Sequence, residues 1–135
     1  MEDTCIKKLY EINNPDFETV DADQFTHLLT RIHCLYRTSD RYTSNWWINI
    51  AKTTFLINST TGDRLELLGV KNIPYFPARH FLKNYGDTVN FTLVFPPVPK
   101  NWASFHCVEI IKSNNCLSIH NINRNDSGVY FKKIQ

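Results

Sequence analysis

The side chains that could do chemistry are five histidines, His27, His33, His80, His106 and His120, and four cysteines, Cys5, Cys34, Cys107 and Cys116. No two histidines stand at H-x-H or H-x-x-x-H spacing, so a zinc or copper site would need separate strands to bring them together. No cysteine pair has the C-x-x-C spacing of a zinc knuckle or a thioredoxin-type redox centre. Ser/His/Asp chemistry lacks a nucleophile elbow. Phosphate and dinucleotide binding lack their glycine-rich fingerprints. The carboxylates Asp16, Glu18, Asp21 and Asp23 form a cluster, but without the glycine and terminal glutamate of a calcium loop. This spacing assigns no catalytic residue, no metal and no cofactor.

Composition bounds the rest. A chain of 135 residues fits one domain with a sizeable core. Its net charge is +2, and lysine and arginine are scattered from Lys7 to Lys133. Nucleic-acid binding, which needs a basic stripe, is therefore not expected. No apolar run approaches the ~20 residues of a membrane span. The opening MEDTCIKK has neither a basic n-region nor an apolar h-region, so no signal peptide is visible. The compartment is cytoplasmic as the chain stands, and periplasmic or secreted if an export signal was removed. Three Asn-x-Ser/Thr triplets begin at Asn58, Asn90 and Asn125, and chance accounts for them in so asparagine-rich a chain.

The elements that must position these side chains are strands. Around Thr88–Ile111, Phe91, Leu93 and Phe95 alternate with Asn90, Thr92 and Val94, the period-two pattern of a strand with one buried face. Pro96, Pro97 and Pro99 end that strand, since proline has no ladder N–H. The next run, Phe105 to Ile111, is strand-like again. A stiff proline corner between two such strands reads as a crossing between the sheets of a sandwich. Ile6–Ile12, Phe25–Arg37, Trp46–Ile50, Thr53–Ile57, Arg64–Val70 and Cys116–Ile122 complete the strands, with Gly62-Asp63 as a hairpin turn. Pro74–Tyr85 reads as a long aromatic connection, with room for a helical turn. The spacing predicts an all-β, immunoglobulin-like antiparallel sandwich of seven to eight strands. Its core spans about 5–122, and 123–135 is a polar tail.

Cys34, Trp46/Trp47 and Cys107 fall where an immunoglobulin domain carries its Cys…Trp…Cys set, on the second, third and sixth strands. They read either as two small buried hydrophobes facing across the core or as a disulfide. Cys5 and Cys116 would lie on the first and last strands. Asn101-x-Ala103-x-Phe105-x-Cys107 imitates a tyrosine corner, but phenylalanine lacks the necessary hydroxyl. A second imitation, Asp126-Ser-Gly-Val-Tyr130, reads as chance, because Lys132 replaces the cysteine and no strand is expected there.

Parity also places a candidate surface. With Trp46 and Ile48 inward, Trp47 and Asn49 turn outward on the third strand. With Phe105 and Cys107 inward, His106 turns outward on the sixth. With Leu117 and Ile119 inward, His120 turns outward on the last. In an immunoglobulin-like sheet these strands are neighbours, so Trp47, His106 and His120 are expected in one exposed row, beside Asn49.

The order of TRIHCLYR, NWWINIAKTTFLI, TTGDRLELLGVKNI, VNFTLVFPPVPKNWASFHCVEI and CLSIHNI resembles a β-sandwich domain of bacterial secreted proteins. That domain commonly precedes a thioredoxin-like disulfide reductase domain. Trp46-Trp47-Ile48-Asn49-Ile50, Phe91 to Pro99 and Phe105 to Glu109 correspond to the family's motifs. Ile110-Ile-Lys-Ser113 stands where the family has a Glu-Gly-Asp turn. No reductase domain stands in these residues, so the resemblance implies an accessory sandwich without a catalytic residue. The expected function is a non-catalytic binding or interaction module for a protein or carbohydrate partner. Alternatives are an accessory or partner of a thiol-disulfide redox protein, or an enzyme whose site is assembled from separated His and Cys residues.

Overall fold

The computed structural model describes residues 29–38, 46–112 and 116–134. The expected strand Ile6–Ile12, Cys5, His27 and the acidic cluster from Asp16 to Asp23 lie outside the described residues. Within them the chain is all-β, with ten strands and no helix. These are β1 (Thr30–Arg37), β2 (Trp46–Ile48), β3 (Thr54–Asn58), β4 (Arg64–Glu66), β5 (Gly69–Lys71), β6 (His80–Leu82), β7 (Thr88–Phe95), β8 (Ser104–Glu109), β9 (Ser118–Asn123) and β10 (Val129–Ile134). Seven or eight strands were expected; the extra ones come from a segment read as one longer strand (β5), from the connection (β6) and from the polar tail (β10). Among the described residues, no helix is long and apolar enough to cross a membrane.

Two four-stranded sheets, ordered β10-β1-β7-β5 and β4-β3-β8-β9, pack over one core, and β2 and β6 form a separate two-stranded ribbon. The central pair of the first sheet, β1 and β7, is antiparallel over its full length, with Ile32 opposite Leu93 and Cys34 opposite Phe91. Period two buries Ile32, Cys34, Phe91, Leu93 and Phe95 from this sheet. Leu56, Phe105, Cys107 and Ile122 meet them from the second, in one cluster. Trp46, Ile48 and Ile119 pack against that cluster at its margin. Phe105 and Tyr130 join the two layers edge to face, with ring centroids 5.3 Å apart.

Two of the sheet crossings follow from residue type. Between β7 and β8 the proline corner carries the chain from one sheet to the other, as expected. The Val98 N–H donates to Thr30 Oγ1 at 3.2 Å and Trp102 N–H to the Pro99 carbonyl at 3.0 Å. The segment Arg64–Val70, expected as one strand, divides between β4 and β5. Leu67 N–H still bonds Thr54 in the second sheet, and the next residue, Leu68, already bonds Val94 in the first. Two adjacent leucines cannot both face the same core from one strand, so the chain changes layers between them.

The stretch read as a polar tail is a strand. β10 lies parallel to β1, Ile32 opposite Tyr130 and His33 opposite Phe131, so the sandwich is not wholly antiparallel. Gly128 precedes it at φ +72°, and a Cβ there would meet the Leu29 carbonyl oxygen at 3.2 Å, which favours glycine. Tyr130 is buried, and its hydroxyl accepts the Asn125 N–H at 3.0 Å. The Asp126-Ser-Gly-Val-Tyr130 motif set aside as chance therefore has a structural tyrosine-corner bond. Its neighbour in the sequence, Asn101 to Cys107, has a phenylalanine at the equivalent place and builds none.

Candidate functional surface

The expected row is broken. β8 and β9 are neighbours and bring His106 and His120 together, with ring centroids 5.0 Å apart. Trp47 and Asn49 stand elsewhere: β2 pairs with β6, placing Trp47 opposite Phe81. The sequence read residues 74–85 as a connection, and a three-residue strand within it captured β2.

The histidine pair marks a β-bulge. Phe105 pairs with Ile122 and Cys107 with Ile119, so the register shifts across His106. Asn121 takes a left-handed conformation at φ 57°, and its N–H donates to His106 Nδ1 at 3.0 Å. The extra residue also moves the inward face from Ile119 to Ile122, which strict parity missed. The Nδ1 lone pair of His106 is thereby engaged by the backbone. Among the described residues no three His, Cys, Asp or Glu side chains are grouped to hold a metal ion. This pair fastens a bulge.

Four of the exposed aromatic side chains lie instead on the β2–β6 ribbon and the loops on either side of β6, while Phe131 of β10, 76% exposed, stacks on His33 of β1. Trp47 is 41% exposed, Phe76 70%, Phe81 58% and Tyr85 57%. The ribbon is tied down by its backbone: Ile50 N–H donates to Pro74 O at 3.0 Å and Phe76 N–H to Ile50 O at 2.9 Å. Asn49 Nδ2 donates to the Ala78 carbonyl at 3.0 Å. That bond fixes the residue before Arg79, whose guanidinium lies 4.3 Å from the Trp47 ring centroid, a cation–π distance. Lys52 Nζ sits 5.2 Å from the Tyr75 ring. Trp46 points the other way and packs against the core. Sequence parity placed Trp47 outward; it missed Phe76, Arg79, Phe81 and Tyr85 as its companions. The available signal was the absence of any Asp or Glu from Leu67 to Gly86, in a stretch rich in aromatics.

The two buried cysteines offer little reactivity. Cys34 and Cys107 are buried and free, and Cys116 is exposed and free; the disulfide alternative is not formed. Burial pushes the Cys34 thiol up to about 12. Burial also raises Cys107, helped by the nearby Cys34 and Glu109. Neither is a thiolate at neutral pH, so neither is a nucleophile. A cleft lined by Thr30, Val98, Arg124 and Tyr130 encloses about 70 Å³, well below the roughly 300–1,000 Å³ of small-molecule sites. Arg124 there is held by Asp126 at 3.0 Å. Of the three asparagine triplets, Asn58 is buried, Asn125 Nδ2 bonds Val129 O at 2.9 Å, and Asn90 is exposed on β7.

Comparison with known proteins finds no protein-family model, no curated protein and no solved structure that matches this chain.

Proposed function

We propose that this protein is a non-catalytic binding module and that its contact surface is the aromatic ribbon of β2 and β6. One observation carries the reading: Trp47 and Phe81, paired across the ribbon, and Phe76 and Tyr85, in the loops flanking β6, are all well exposed. Single exposed apolar residues need no explanation, whereas a gathered set of aromatics marks an interaction surface. Trp, Tyr and Arg are also the residues that dominate binding energies. The partner is a protein or a carbohydrate. The resemblance to an accessory sandwich of secreted reductases fits this reading, since that domain lends no catalytic group. The enzyme and redox alternatives have weaker support, because Cys34 and Cys107 are buried as thiols.

Alanine substitution at Trp47 and at Phe81 tests it. Each variant should unfold within about 1 kcal/mol of the wild type, the scale of one cross-strand pair, and should lose association with a partner. A stability loss of about 3 kcal/mol or more, the scale of a core aromatic, would show that the rings serve folding and would end the proposal.

A further inference from the structure

Resting on that reading, we infer that the ribbon recognises an acidic protein segment that also carries apolar or aromatic side chains. The charge distribution supports this. No Asp or Glu occurs from Trp46 to Gly62 or from Leu67 to Gly86, while four cations do, Lys52, Lys71, Arg79 and Lys83. All four are exposed, Lys71 on β5. Among the described residues the recorded carboxylate ion pair is Arg124–Asp126, remote in sequence from this ribbon. Arg79 and Lys52 lie over the rings of Trp47 and Tyr75. The first following carboxylate, Asp87, is turned to the Asn84 N–H at 2.9 Å. Exposed aromatic area beside Lys52, Arg79 and Lys83, which make no ion pair among the described residues, complements a partner of opposite charge that can bury apolar surface.

Other classes of partner fit less well. A sugar needs an open aromatic face and acceptors for its hydroxyls. One face of Trp47 is covered by Arg79, the Asn49 amide is engaged with Ala78, and no carboxylate stands in the ribbon. Single-stranded nucleic acid needs stacking faces along a continuous cationic track. Here the net charge is +2 and the cations are few. An acidic peptide needs neither: its carboxylates pair with Arg79 and Lys83, and its apolar side chains cover Phe76, Phe81 and Tyr85.

Random peptides displayed on phage and selected against the immobilised full-length chain test this. The enriched peptides should be rich in Asp and Glu with an aromatic or aliphatic residue. Their binding should fall at least tenfold in Phe81→Ala, in Arg79→Glu and in Lys83→Glu, each with an unchanged melting temperature. Lys133→Glu, on β10, should leave binding intact. Binding should weaken with added salt. Peptides that depend on Phe81 but are neutral or basic, or that ignore both charge reversals, would overturn the acidic partner while leaving the aromatic surface standing. Peptides indifferent to Phe81 would overturn both readings. Failure to enrich any sequence overturns the acidic-segment inference. So does tighter binding by heparin, oligo-deoxythymidine or phosphatidylserine vesicles in direct titration, each naming its own class instead.

Discussion

The hydroxyl of Tyr130 accepts the Asn125 backbone N–H at 3.0 Å, closing the loop before β10 onto the strand that follows it. Asn125 contributes from the other side, its Oδ1 taking the Gly128 N–H at 2.9 Å. The Tyr130 ring meanwhile packs on Phe105 of the opposite sheet. One side chain thus joins an edge strand, its loop and the core.

Replacing Tyr130 by phenylalanine keeps the ring and removes the acceptor. The variant should be less stable by about 1–3 kcal/mol, the cost of leaving a poorly solvated donor unmatched. Tyr130→Ala should cost more, about 3–5 kcal/mol, because the cross-sheet contact is lost as well. Urea midpoints measure both. Equal losses in the two variants would mean that the hydroxyl contributes nothing.

The fold was legible wherever local chemistry and burial agreed. Alternation marked β7, prolines marked the crossing after it, and Gly62, at φ +80°, marked the turn of the β3–β4 hairpin. Elements set by distant pairing were not legible. β6 has three residues and exists because β2 lies beside it. β10 has one buried residue, Tyr130, and is held by β1 in a parallel pairing that no hairpin signal announces. The candidate surface inherited that difficulty. Parity correctly turned Trp47, His106 and His120 outward, but parity does not say which strands are neighbours. The bulge at Asn121 is likewise a property of the β8–β9 pair, invisible in either strand alone.

Cys34 and Cys107 make a prediction about alkaline stability. Both thiols are raised by burial, while an unfolded cysteine titrates near about 8.5. Their contribution is therefore complete below the unfolded value. It is lost as pH rises through the folded one, at about 12 for Cys34. Stability should begin to fall above about pH 8.5, with a slope approaching ~1.4 kcal/mol per pH unit for each thiol. In the native chain at neutral pH, iodoacetamide should label Cys116 quickly and reach Cys34 and Cys107 only on unfolding. Peptide mapping that finds Cys34 labelled as fast as Cys116 would contradict the burial.

His33 makes the opposite prediction. It stacks on Phe131, ring centroids 5.1 Å apart, and its Nδ1 lies 2.8 Å from Thr92 Oγ1. Burial lowers its pKa, and the charges of Arg31 and Lys71 lower it further. A depressed histidine leaves stability intact above the unfolded value of about 6.5. As pH falls through the folded value, the unfolded chain takes up the proton first and stability is lost. The wild type should therefore weaken more than His33→Gln between pH 7 and pH 5 in urea unfolding. Parallel curves for the two proteins would exclude His33 as a contributor.

Glu109 is the buried charge on which the second sheet depends, at 5% exposure. Oε2 accepts the Ala51 N–H at 2.7 Å, ahead of β3, and Oε1 accepts the Leu117 N–H at 3.0 Å, ahead of β9. A carboxylate can accept both bonds, whereas an amide offers one oxygen and one NH₂ group. Glu109→Gln would then point a donor at a donor and should cost about 1–3 kcal/mol. Glu109→Ala orphans both N–H groups and should cost about 2–6 kcal/mol, one to three for each. Hydrogen exchange gives the finer reading: the Ala51 and Leu117 amides should lose protection first in Glu109→Ala, before the β1–β7 pair does. Retained protection at both amides, with an unchanged urea midpoint, would mean that the carboxylate holds neither loop.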